Sequence, residues 1–367
     1  MKVKRLNNIQ NSDDIFLLSS YDYELPDELI AQSPAEKRDM SRLLVMDRKS
    51  GELSHRYFSD IIDYLEAGDA LVINNSKVIP ARLFGKRRIK NTRGELTDEL
   101  GESIIEVFLL ERKGADTWEV LMKPARKAPV GTVIEIGDGK LCATVTEILD
   151  DGNRVVDFSY EGEFFALLDE IGEMPLPPYI YERTAEKGRY QTVYAKHEGS
   201  SAAPTAGLHF TRELLQKITE KGITVIPITL HVGLGTFRPV HEDNIKNHKM
   251  HSEFYTVSEE SAKAFNDVKK NGGRIFCVGT TSCRTIESNA DENGFLTAKS
   301  DNTSIFIYPG YKFKAVDSLI TNFHLPQSTL IMLISAFAGR EEVLDMYRVA
   351  VENKYRFFSF GDACLFL

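Results

Sequence analysis

Residues 274–286 read Arg-Ile-Phe-Cys-Val-Gly-Thr-Thr-Ser-Cys-Arg-Thr-Ile: an apolar run, a glycine and then a row of hydroxyl side chains. The apolar run predicts a buried strand, and the residues after Gly279 predict the start of a helix. Ahead of this strand, Ser258 can cap a helix that Gly272 ends. A helix followed by a buried strand is the repeating unit of an α/β sheet.

The same order of elements occurs a second time, earlier in the chain. Thr211 can cap a helix that Gly222 ends, and the apolar run 223–230 follows it. A further apolar run at 70–73 resembles these strands. We therefore expect a parallel or mixed α/β sheet built from the first and last parts of the chain.

Residues 104–160 have a different pattern, with short strands predicted at 104–110, 118–122, 132–136, 141–148 and 155–160. Turns rich in Gly and Asp separate them, which is typical of a small antiparallel barrel or sandwich. The polar stretch 91–103 is predicted to be a mobile loop. The predicted fold is an α/β domain of residues 1–77 and 163–367 with an inserted small antiparallel β-barrel domain, 78–162. Two sequential domains remain an alternative.

The composition sets further limits. A chain of 367 residues favours two domains, and 42% hydrophobic with 27% charged residues is ordinary for a soluble globular protein. The four cysteines have no paired spacing, and we see neither a signal peptide nor an apolar run long enough for a membrane span. These features predict a cytoplasmic protein without a membrane partner.

The net charge of −9 argues against indiscriminate binding to nucleic acid, but the basic residues are clustered. Such clusters are either a solvated face or a track for the phosphates of a nucleic acid. The first cluster comprises Arg82, Lys86, Arg87, Arg88, Lys90 and Arg93, and the second comprises Lys123, Arg126 and Lys127.

Four segments rich in Gly, Thr, His and Asn, at 200–211, 231–239, 278–285 and 321–328, follow predicted strands or precede predicted helices. In an open α/β sheet, ligands bind outside the carboxyl ends of the strands. The turn at Gly279 offers backbone N–H groups and the hydroxyls of Thr280 and Thr281 to an anionic or ribose-bearing ligand, although simple helix capping explains them too. Arg284 could pair with a carboxylate or phosphate.

Polar side chains in the other segments are candidates of the same kind. The glycines after His231 indicate close approach to a flat ligand, with Thr236 and Arg238 as polar contacts. His209 and His324 are each either a structural hydrogen-bonding group or a base. His241, His248, His251 and Glu253 fit no standard metal spacing, so we predict no metal site.

Several of these stretches together resemble one family. They are 21–26 (Tyr-Asp-Tyr-Glu-Leu-Pro), 74–82 (Asn-Asn-Ser-Lys-Val-Ile-Pro-Ala-Arg), 203–211, 231–237, 248–251, 279–281 and 322–326 (Asn-Phe-His-Leu-Pro). In this order and from end to end, the sequence is similar to the S-adenosylmethionine:tRNA ribosyltransferase-isomerases of queuosine biosynthesis. The resemblance implies an α/β domain that carries a smaller β-barrel domain.

The resemblance also implies a reaction. The ribosyl part of S-adenosylmethionine moves onto the aminomethyl group of 7-aminomethyl-7-deazaguanine at the wobble position of tRNA, and it rearranges to the epoxycyclopentanediol of epoxyqueuosine. Adenine and methionine leave. S-adenosylmethionine is then a co-substrate that donates ribose, and no true cofactor is expected. We expect a monomer.

Roles follow from the resemblance for the candidate residues. His209 or His324 would be the base or acid, Arg284 would hold the methionine carboxylate, and Asn74 and Asn75 would meet the deazaguanine edge or ribose. Thr205, Thr236, Thr280 and Thr281 would hold ribose hydroxyls, with Arg238 and Asn322 also in the substrate site. The tRNA-binding residues would be Arg82, Lys86, Arg87, Arg88, Lys123, Arg126 and Lys127.

Two alternatives belong to other classes. A conventional S-adenosylmethionine-dependent RNA methyltransferase would need the acidic Gly-x-Gly loop of the commonest such fold, which is absent from the sequence. A non-catalytic RNA-binding module would be expected to have a basic pI, and this chain has a pI of about 5.5.

Overall fold

The computed structural model describes residues 14–177, 179–181, 187–233 and 240–367. The helices within these ranges are α1 (Phe164–Ile171), α2 (Arg212–Glu220), α3 (Glu259–Lys270), α4 (Gly279–Asn289), α5 (Thr329–Ala338) and α6 (Arg340–Glu352). The strands are β1 (Arg42–Met46), β2 (Leu53–Tyr57), β3 (Ala70–Asn74), β4 (Ser76–Val78), β5 (Arg82–Lys90), β6 (Leu96–Arg112), β7 (Thr117–Lys123), β8 (Val133–Ile136), β9 (Leu141–Ile148), β10 (Arg154–Tyr160), β11 (His197–Ser200), β12 (Thr224–Leu230), β13 (Glu253–Val257), β14 (Ile275–Val278), β15 (Lys299–Thr303), β16 (Ser318–Asn322) and β17 (Ala363–Phe366).

In the described part of the chain, one mixed sheet of nine strands has the order β15-β13-β12-β3-β14-β16-β17-β1-β2. Its centre is parallel, because β12, β3, β14 and β16 run side by side in the same direction. The edges are antiparallel at β12–β13 and at β1–β2. The predicted α/β class is therefore confirmed, with a mixed sheet.

The predicted helix boundaries have the expected local causes. The Thr211 hydroxyl accepts a hydrogen bond from the Leu214 N–H at 3.1 Å, and the Ser258 hydroxyl accepts one from the Ser261 N–H at 3.1 Å. Gly222 and Gly272 adopt φ values of +91° and +77° just beyond α2 and α3, which favours glycine there. No helix within the described residues is both long and apolar enough to span a bilayer.

A closed antiparallel barrel is formed by the strands in the order β10-β7-β6-β5-β8-β9. The predicted barrel is confirmed, and it includes β5, which forms where the sequence shows only a basic cluster. Leu83, Val107, Trp118, Ile134 and Val156 fill the interior and are almost completely buried.

The prediction of a loop at 91–103 is wrong for most of that stretch, because β6 begins at Leu96. The Asn91 side chain accepts hydrogen bonds from the N–H groups of Arg93 and Glu95, which turns the chain back on itself. Backbone pairing with β5 then extends outward, with Arg88 opposite Leu100. A strand exposed on both faces needs no apolar alternation, so its sequence looks like a loop.

The chain divides into two compact units. The first comprises residues 14–76, 177–197 and 203–367 within the described ranges and contains the mixed sheet. The second comprises 77–176 and 198–202 and contains the barrel with α1. The predicted domain division at 78–162 stays a prediction, since compactness does not show that a segment folds on its own.

In the first unit, an ion pair joins the amino ends of two central strands. Asp69, which is 4% exposed, accepts bonds from Arg274 Nε at 3.2 Å and Nη2 at 2.6 Å. The backbone N–H groups of Glu66 and Arg274 donate to the same carboxylate at 2.8 and 2.9 Å. Burial opposes ionisation, but these hydrogen bonds and the Arg274 charge outweigh it and lower the pKa of Asp69.

We expect Asp69→Ala to lower the free energy of unfolding by about 2–3 kcal/mol, because several charge-assisted hydrogen bonds disappear. The pKa of Asp69 is lower in the folded chain, so this stabilisation is present above about pH 4 and is lost as the pH falls through the folded-state pKa. Denaturant unfolding at pH 7 and at lower pH measures both effects.

Asp267→Ala is the control, because its partner Lys263 lies 2.6 Å away on an exposed helix face. There we expect a loss below about 0.5 kcal/mol. Equal losses for the two variants would contradict the assigned role of Asp69.

Candidate active site

A pocket of about 690 Å³ opens at the carboxyl ends of the parallel strands in the first unit. Three of its walls directly follow strands: Val232 after β12, residues 279–281 after β14, and residues 321–325 at the end of β16. The rest of its lining is formed by Tyr179, residues 203–206, Ser328, Leu330, Phe358 and Ser359. This is where an open α/β sheet binds ligands.

Three of the threonines that were predicted to hold ribose hydroxyls lie in the pocket wall. Thr205, Thr280 and Thr281 all contribute to its wall. The hydroxyl of Thr281 is buried and has no hydrogen-bond partner within the described residues. Because a buried polar atom without a partner is unfavourable, this hydroxyl is prepared for a polar group of a ligand.

Asn322, at the end of β16, organises one side of the pocket. Its Nδ2 donates to the Phe358 carbonyl at 3.0 Å and to His209 Nε2 at 3.1 Å. Its Oδ1 accepts from the Thr205 hydroxyl at 3.1 Å. The hydroxyl proton of Thr205 is thereby used, so its oxygen can meet a ligand only as an acceptor.

His209 lies behind this wall, and it does not belong to the pocket lining. Since Asn322 donates to Nε2, we assign the ring proton to Nδ1, which donates to the Ser41 hydroxyl at 2.7 Å. The ring stacks on Phe58 with centroids 4.9 Å apart. Burial lowers the pKa of His209 to about 3, with smaller contributions from Arg356 and Arg38, so the ring is neutral.

His324 lines the pocket directly. Its backbone is fixed from both sides, because Tyr23 donates its hydroxyl to the His324 carbonyl at 2.5 Å and the His324 N–H donates to the Tyr347 oxygen at 2.9 Å. Its Nε2 lies 2.9 Å from the Thr321 hydroxyl. Burial lowers the pKa of His324 to about 3, so this ring is also neutral at pH 7.

Arg284 belongs to a smaller cavity of about 280 Å³ that shares Leu330 with the pocket. Its Nη1 pairs with the buried carboxylate of Glu253, and His251 Nε2 lies 3.2 Å from the other carboxylate oxygen. Burial would raise the pKa of Glu253, but Arg284 and His251 outweigh it and lower the pKa to about 2. The Nη2 of Arg284 is buried without a hydrogen-bond partner within the described residues.

Asn74 and Asn75 are not part of the pocket lining. Asn74 is fully buried, and its amide bonds the backbone of Leu230 in both directions at 3.0 Å, joining β3 to β12. Asn75 accepts a hydrogen bond from the Thr229 hydroxyl at 2.7 Å. Thr236 and Arg238, predicted as substrate contacts, lie outside the described residues.

The predicted tRNA-binding residues lie in the barrel unit. Some of them have side-chain partners, and others are exposed and unpaired within the described residues. Arg82 pairs with Glu106 at 2.6 Å, Arg88 pairs with Glu135 at 2.8 Å, and Lys127 contacts the Ser103 hydroxyl. The others are exposed and have no carboxylate within ion-pair distance in the described ranges; they are Lys86, Arg87, Lys123 and Arg126. Lys86 lies opposite Ile104 on β6, and Lys123 lies opposite Glu106, so both clusters occupy the same end of the barrel.

Sequence reasoning missed several residues of the site. Tyr179 and Ser359 line the pocket and share a hydrogen bond of 2.6 Å between their hydroxyls, and the Phe358 carbonyl accepts from Asn322. Phe358 also has a φ of +69°, which is unusual for a bulky residue. The surrounding Phe-Phe-Ser-Phe sequence resembles core residues, so no local signal marked it.

The fold and the pocket together define the class of protein: an α/β protein with a ligand site at one edge of its sheet. A mixed α/β sheet has at the carboxyl ends of its parallel strands a pocket lined by hydroxyls and a neutral histidine, which suits a small polyhydroxylated ligand.

The comparisons with known proteins agree with one another. The chain matches the family described as "Queuosine biosynthesis protein" over residues 18–366. It is 59% identical over 343 residues to an S-adenosylmethionine:tRNA ribosyltransferase-isomerase of Lachnoclostridium phytofermentans, covering 93% of this chain and 94% of the relative. The identity is 56% over 349 residues with the protein of the same name from Caldanaerobacter subterraneus subsp. tengcongensis, covering 95% and 99%.

A solved structure is also similar. The crystal structure of an S-adenosylmethionine tRNA ribosyltransferase from Thermotoga maritima matches with a TM-score of 0.52 and 39% identity, covering 95% of this chain and all of that one. The chain therefore belongs to the queuosine biosynthesis protein family, and it is an enzyme. The family resemblance seen in the sequence is confirmed.

Proposed function

We propose that this enzyme transfers the ribosyl part of S-adenosylmethionine to 7-aminomethyl-7-deazaguanine at the wobble position of tRNA and isomerises it. The product is epoxyqueuosine, and adenine and methionine are released. The observation that carries the proposal is the similarity to enzymes named for this reaction over 93% or more of this chain. The hydroxyl-lined pocket at the carboxyl ends of the strands supports it.

The pocket wall offers groups that suit a ribose. We assign hydrogen bonds with its hydroxyls to Thr205, Thr280 and Thr281, which are among the residues that line the pocket. Asn322 holds Thr205 as an acceptor, and Thr281 has an unused hydroxyl within the described residues. The roles predicted for Asn74, Asn75, Thr236 and Arg238 stay predictions.

Arg284 is the candidate for the methionine carboxylate. Glu253 occupies its Nη1, while Nη2 has no partner within the described residues. Glu253 neutralises part of the guanidinium charge and holds it in one orientation, so a second carboxylate would meet a preformed donor. The cavity beside Arg284 shares Leu330 with the main pocket, which favours one substrate reaching both.

His324 is the candidate for the proton transfer. The sulfonium acidifies the carbon next to it, so a base close to that carbon can start the reaction. A neutral imidazole can accept a proton at one ring nitrogen and donate a hydrogen bond from the other. Of the two candidate histidines, His324 lines the pocket, whereas His209 reaches it through Asn322.

The exposed basic residues of the barrel unit are assigned to the phosphates of the anticodon stem-loop. Lys86, Arg87, Lys123 and Arg126 have their charges available, whereas Glu106 and Glu135 already pair with Arg82 and Arg88. The predicted monomeric state and cytoplasmic location stay predictions. An RNA methyltransferase is not favoured, since the relatives reported above are named as ribosyltransferase-isomerases.

Mass spectrometry after incubation with S-adenosylmethionine and tRNA bearing 7-aminomethyl-7-deazaguanine tests the reaction. We expect free adenine, free methionine and a gain of the epoxycyclopentanediol on the modified base, because the ribosyl group loses both adenine and methionine during the transfer. S-adenosylhomocysteine with a methylated RNA would instead establish a methyltransferase. Binding without turnover would leave only an RNA-binding module.

His324→Ala and His209→Ala are each expected to lower turnover by about 100-fold or more, the usual contribution of a general base or acid. Adenine release in single-turnover reactions measures it, and a rate close to wild type would remove that residue from the catalytic roles.

His209→Gln then separates two explanations of a loss at this position. An amide can restore the hydrogen bond to Asn322 but cannot take up a proton. Partial recovery relative to His209→Ala identifies a positioning residue, and equal inactivity of the two variants identifies proton transfer.

Binding of tRNA is expected to weaken steeply with salt. The double variant Lys86→Gln/Arg87→Gln should weaken it and reduce the slope of log K against log salt by about 0.7–0.9 for each lost phosphate contact. Arg82→Gln/Arg88→Gln is the matched control, because it removes the same charge from the same strand at positions already paired with Glu106 and Glu135. Equal changes of slope, or affinity that does not depend on salt, would contradict the assignment.

A further inference from the structure

A third cavity, of about 270 Å³, adjoins the pocket within the first unit and has no role in the reaction as described above. Ser359 lines both the cavity and the pocket. His209 also lines the cavity, and its ring bonds to Asn322 in the pocket wall. A ligand group in this cavity would therefore lie next to the substrate.

Two arginines face this cavity, and backbone carbonyls fix both of them. Arg38 donates from Nη1 to the Leu208 carbonyl at 2.9 Å and from Nη2 to the Gly188 carbonyl at 3.2 Å. Arg189 donates to the carbonyls of residues 35 and 36 at 2.5 and 3.1 Å. Both guanidinium groups are thus oriented before any ligand arrives, which reduces the entropy that binding would cost.

Carbonyl groups orient these charges but do not neutralise them. Within the described residues, neither Arg38 nor Arg189 has an Asp or Glu oxygen within 4 Å, and the Nε of Arg189 is buried without a partner. The pKa of Arg38 is lowered by burial and by the nearby Arg189 charge. The two cations therefore repel one another, and an anion between them would relieve that repulsion.

We propose that this cavity binds one phosphate of the RNA backbone, next to the nucleotide whose base enters the pocket; the inference rests on the proposed function. A phosphodiester has two unesterified oxygens, one for each guanidinium group, and arginine suits this geometry. The wobble nucleotide lies in a single-stranded loop, where proteins read bases that are turned out of the stack. When such a base occupies the pocket, the phosphates bonded to its own nucleoside are the nearest anions of the RNA.

The carboxylate of S-adenosylmethionine is the other anion present in the reaction. Arg284 already offers that group a buried donor in a cavity that adjoins the pocket at Leu330. A single carboxylate is satisfied by one guanidinium group, whereas this cavity presents two. These arguments favour the phosphate, and the experiment separates the two anions.

The test combines protein variants with RNA whose phosphates are neutralised one at a time. The RNA is an anticodon stem-loop carrying 7-aminomethyl-7-deazaguanine, with a single methylphosphonate on either side of the modified nucleotide or farther along the loop. We expect wild-type affinity to fall about tenfold for one flanking position, the effect of one charge-assisted contact. Arg189→Gln and Arg38→Gln should bind the unmodified backbone about tenfold more weakly, with no further loss at that position.

Arg48→Gln is the matched control. Three backbone carbonyls hold Arg48 in the same manner, and it is not among the residues that line this cavity. This variant should keep both the wild-type affinity and the wild-type response to methylphosphonate. Arg189→Lys keeps the charge without the planar fork and should bind with intermediate affinity, which guards against a folding defect in Arg189→Gln.

Two results would overturn the proposal. Losses that add independently at every methylphosphonate position would show that neither arginine contacts a flanking phosphate. A higher KM for S-adenosylmethionine with unchanged RNA affinity would assign the cavity to the carboxylate. If the wild-type enzyme converts tRNA but the arginine variants and the flanking methylphosphonate weaken binding independently of one another, this inference alone is refuted. Absence of any ribosyl transfer by the wild-type enzyme would instead refute the proposed function.

Discussion

The pocket wall depends on the hydrogen bonds of the side-chain amide of Asn322. It stands where β16 ends, and it joins two other segments: residues 205–209, through Thr205 and His209, and the loop at Phe358, through its carbonyl. The amide nitrogen donates two of these hydrogen bonds, and the amide oxygen accepts the third. This arrangement fixes the tautomer of His209 and leaves the oxygen of Thr205 as an acceptor. Replacing that amide with a carboxylate would remove both donors, so the chemistry of the wall requires asparagine.

A strained backbone supports this arrangement from the opposite side. Phe358 has a φ of +69°, a conformation that costs of order 1–3 kcal/mol for a residue with a side chain. The loop around it is held by Asp362, whose carboxylate accepts the N–H groups of Arg42 and Arg356 at 2.9 and 2.8 Å. The strained residue places its carbonyl against Asn322 and contributes to the pocket lining, so the strain lies where the substrate is proposed to bind.

The features that the sequence predicted are those that depend on residues close to one another along the chain. The caps at Thr211 and Ser258 and the buried strands 70–73 and 275–278 follow from local patterns, and polar residues that follow such strands, including Thr280 and Asn322, are brought to one edge by parallel pairing. Contacts between distant segments left no local signal: Ser41 meets His209 and Tyr179 meets Ser359 only in the folded chain. The structural bond of Asn74 left no local signal either, because its amide joins β3 to the backbone of β12 only in the folded chain.

The charge distribution explains how an acidic chain can act on a polyanion. With a net charge of −9, the whole molecule repels RNA, so attraction must come from cations that no carboxylate neutralises. In the barrel unit, Glu106 and Glu135 pair with Arg82 and Arg88 and leave Lys86 and Arg87 available. In the first unit, Arg38 and Arg189 donate to backbone carbonyls, and no carboxylate of the described residues pairs with them. Because surface charges are screened over about 8–10 Å, these local groups outweigh the net charge for a phosphate in contact with them. Within each unit, we therefore expect RNA affinity to depend on the cations that are left unpaired, since the paired Arg82 and Arg88 already have carboxylate partners.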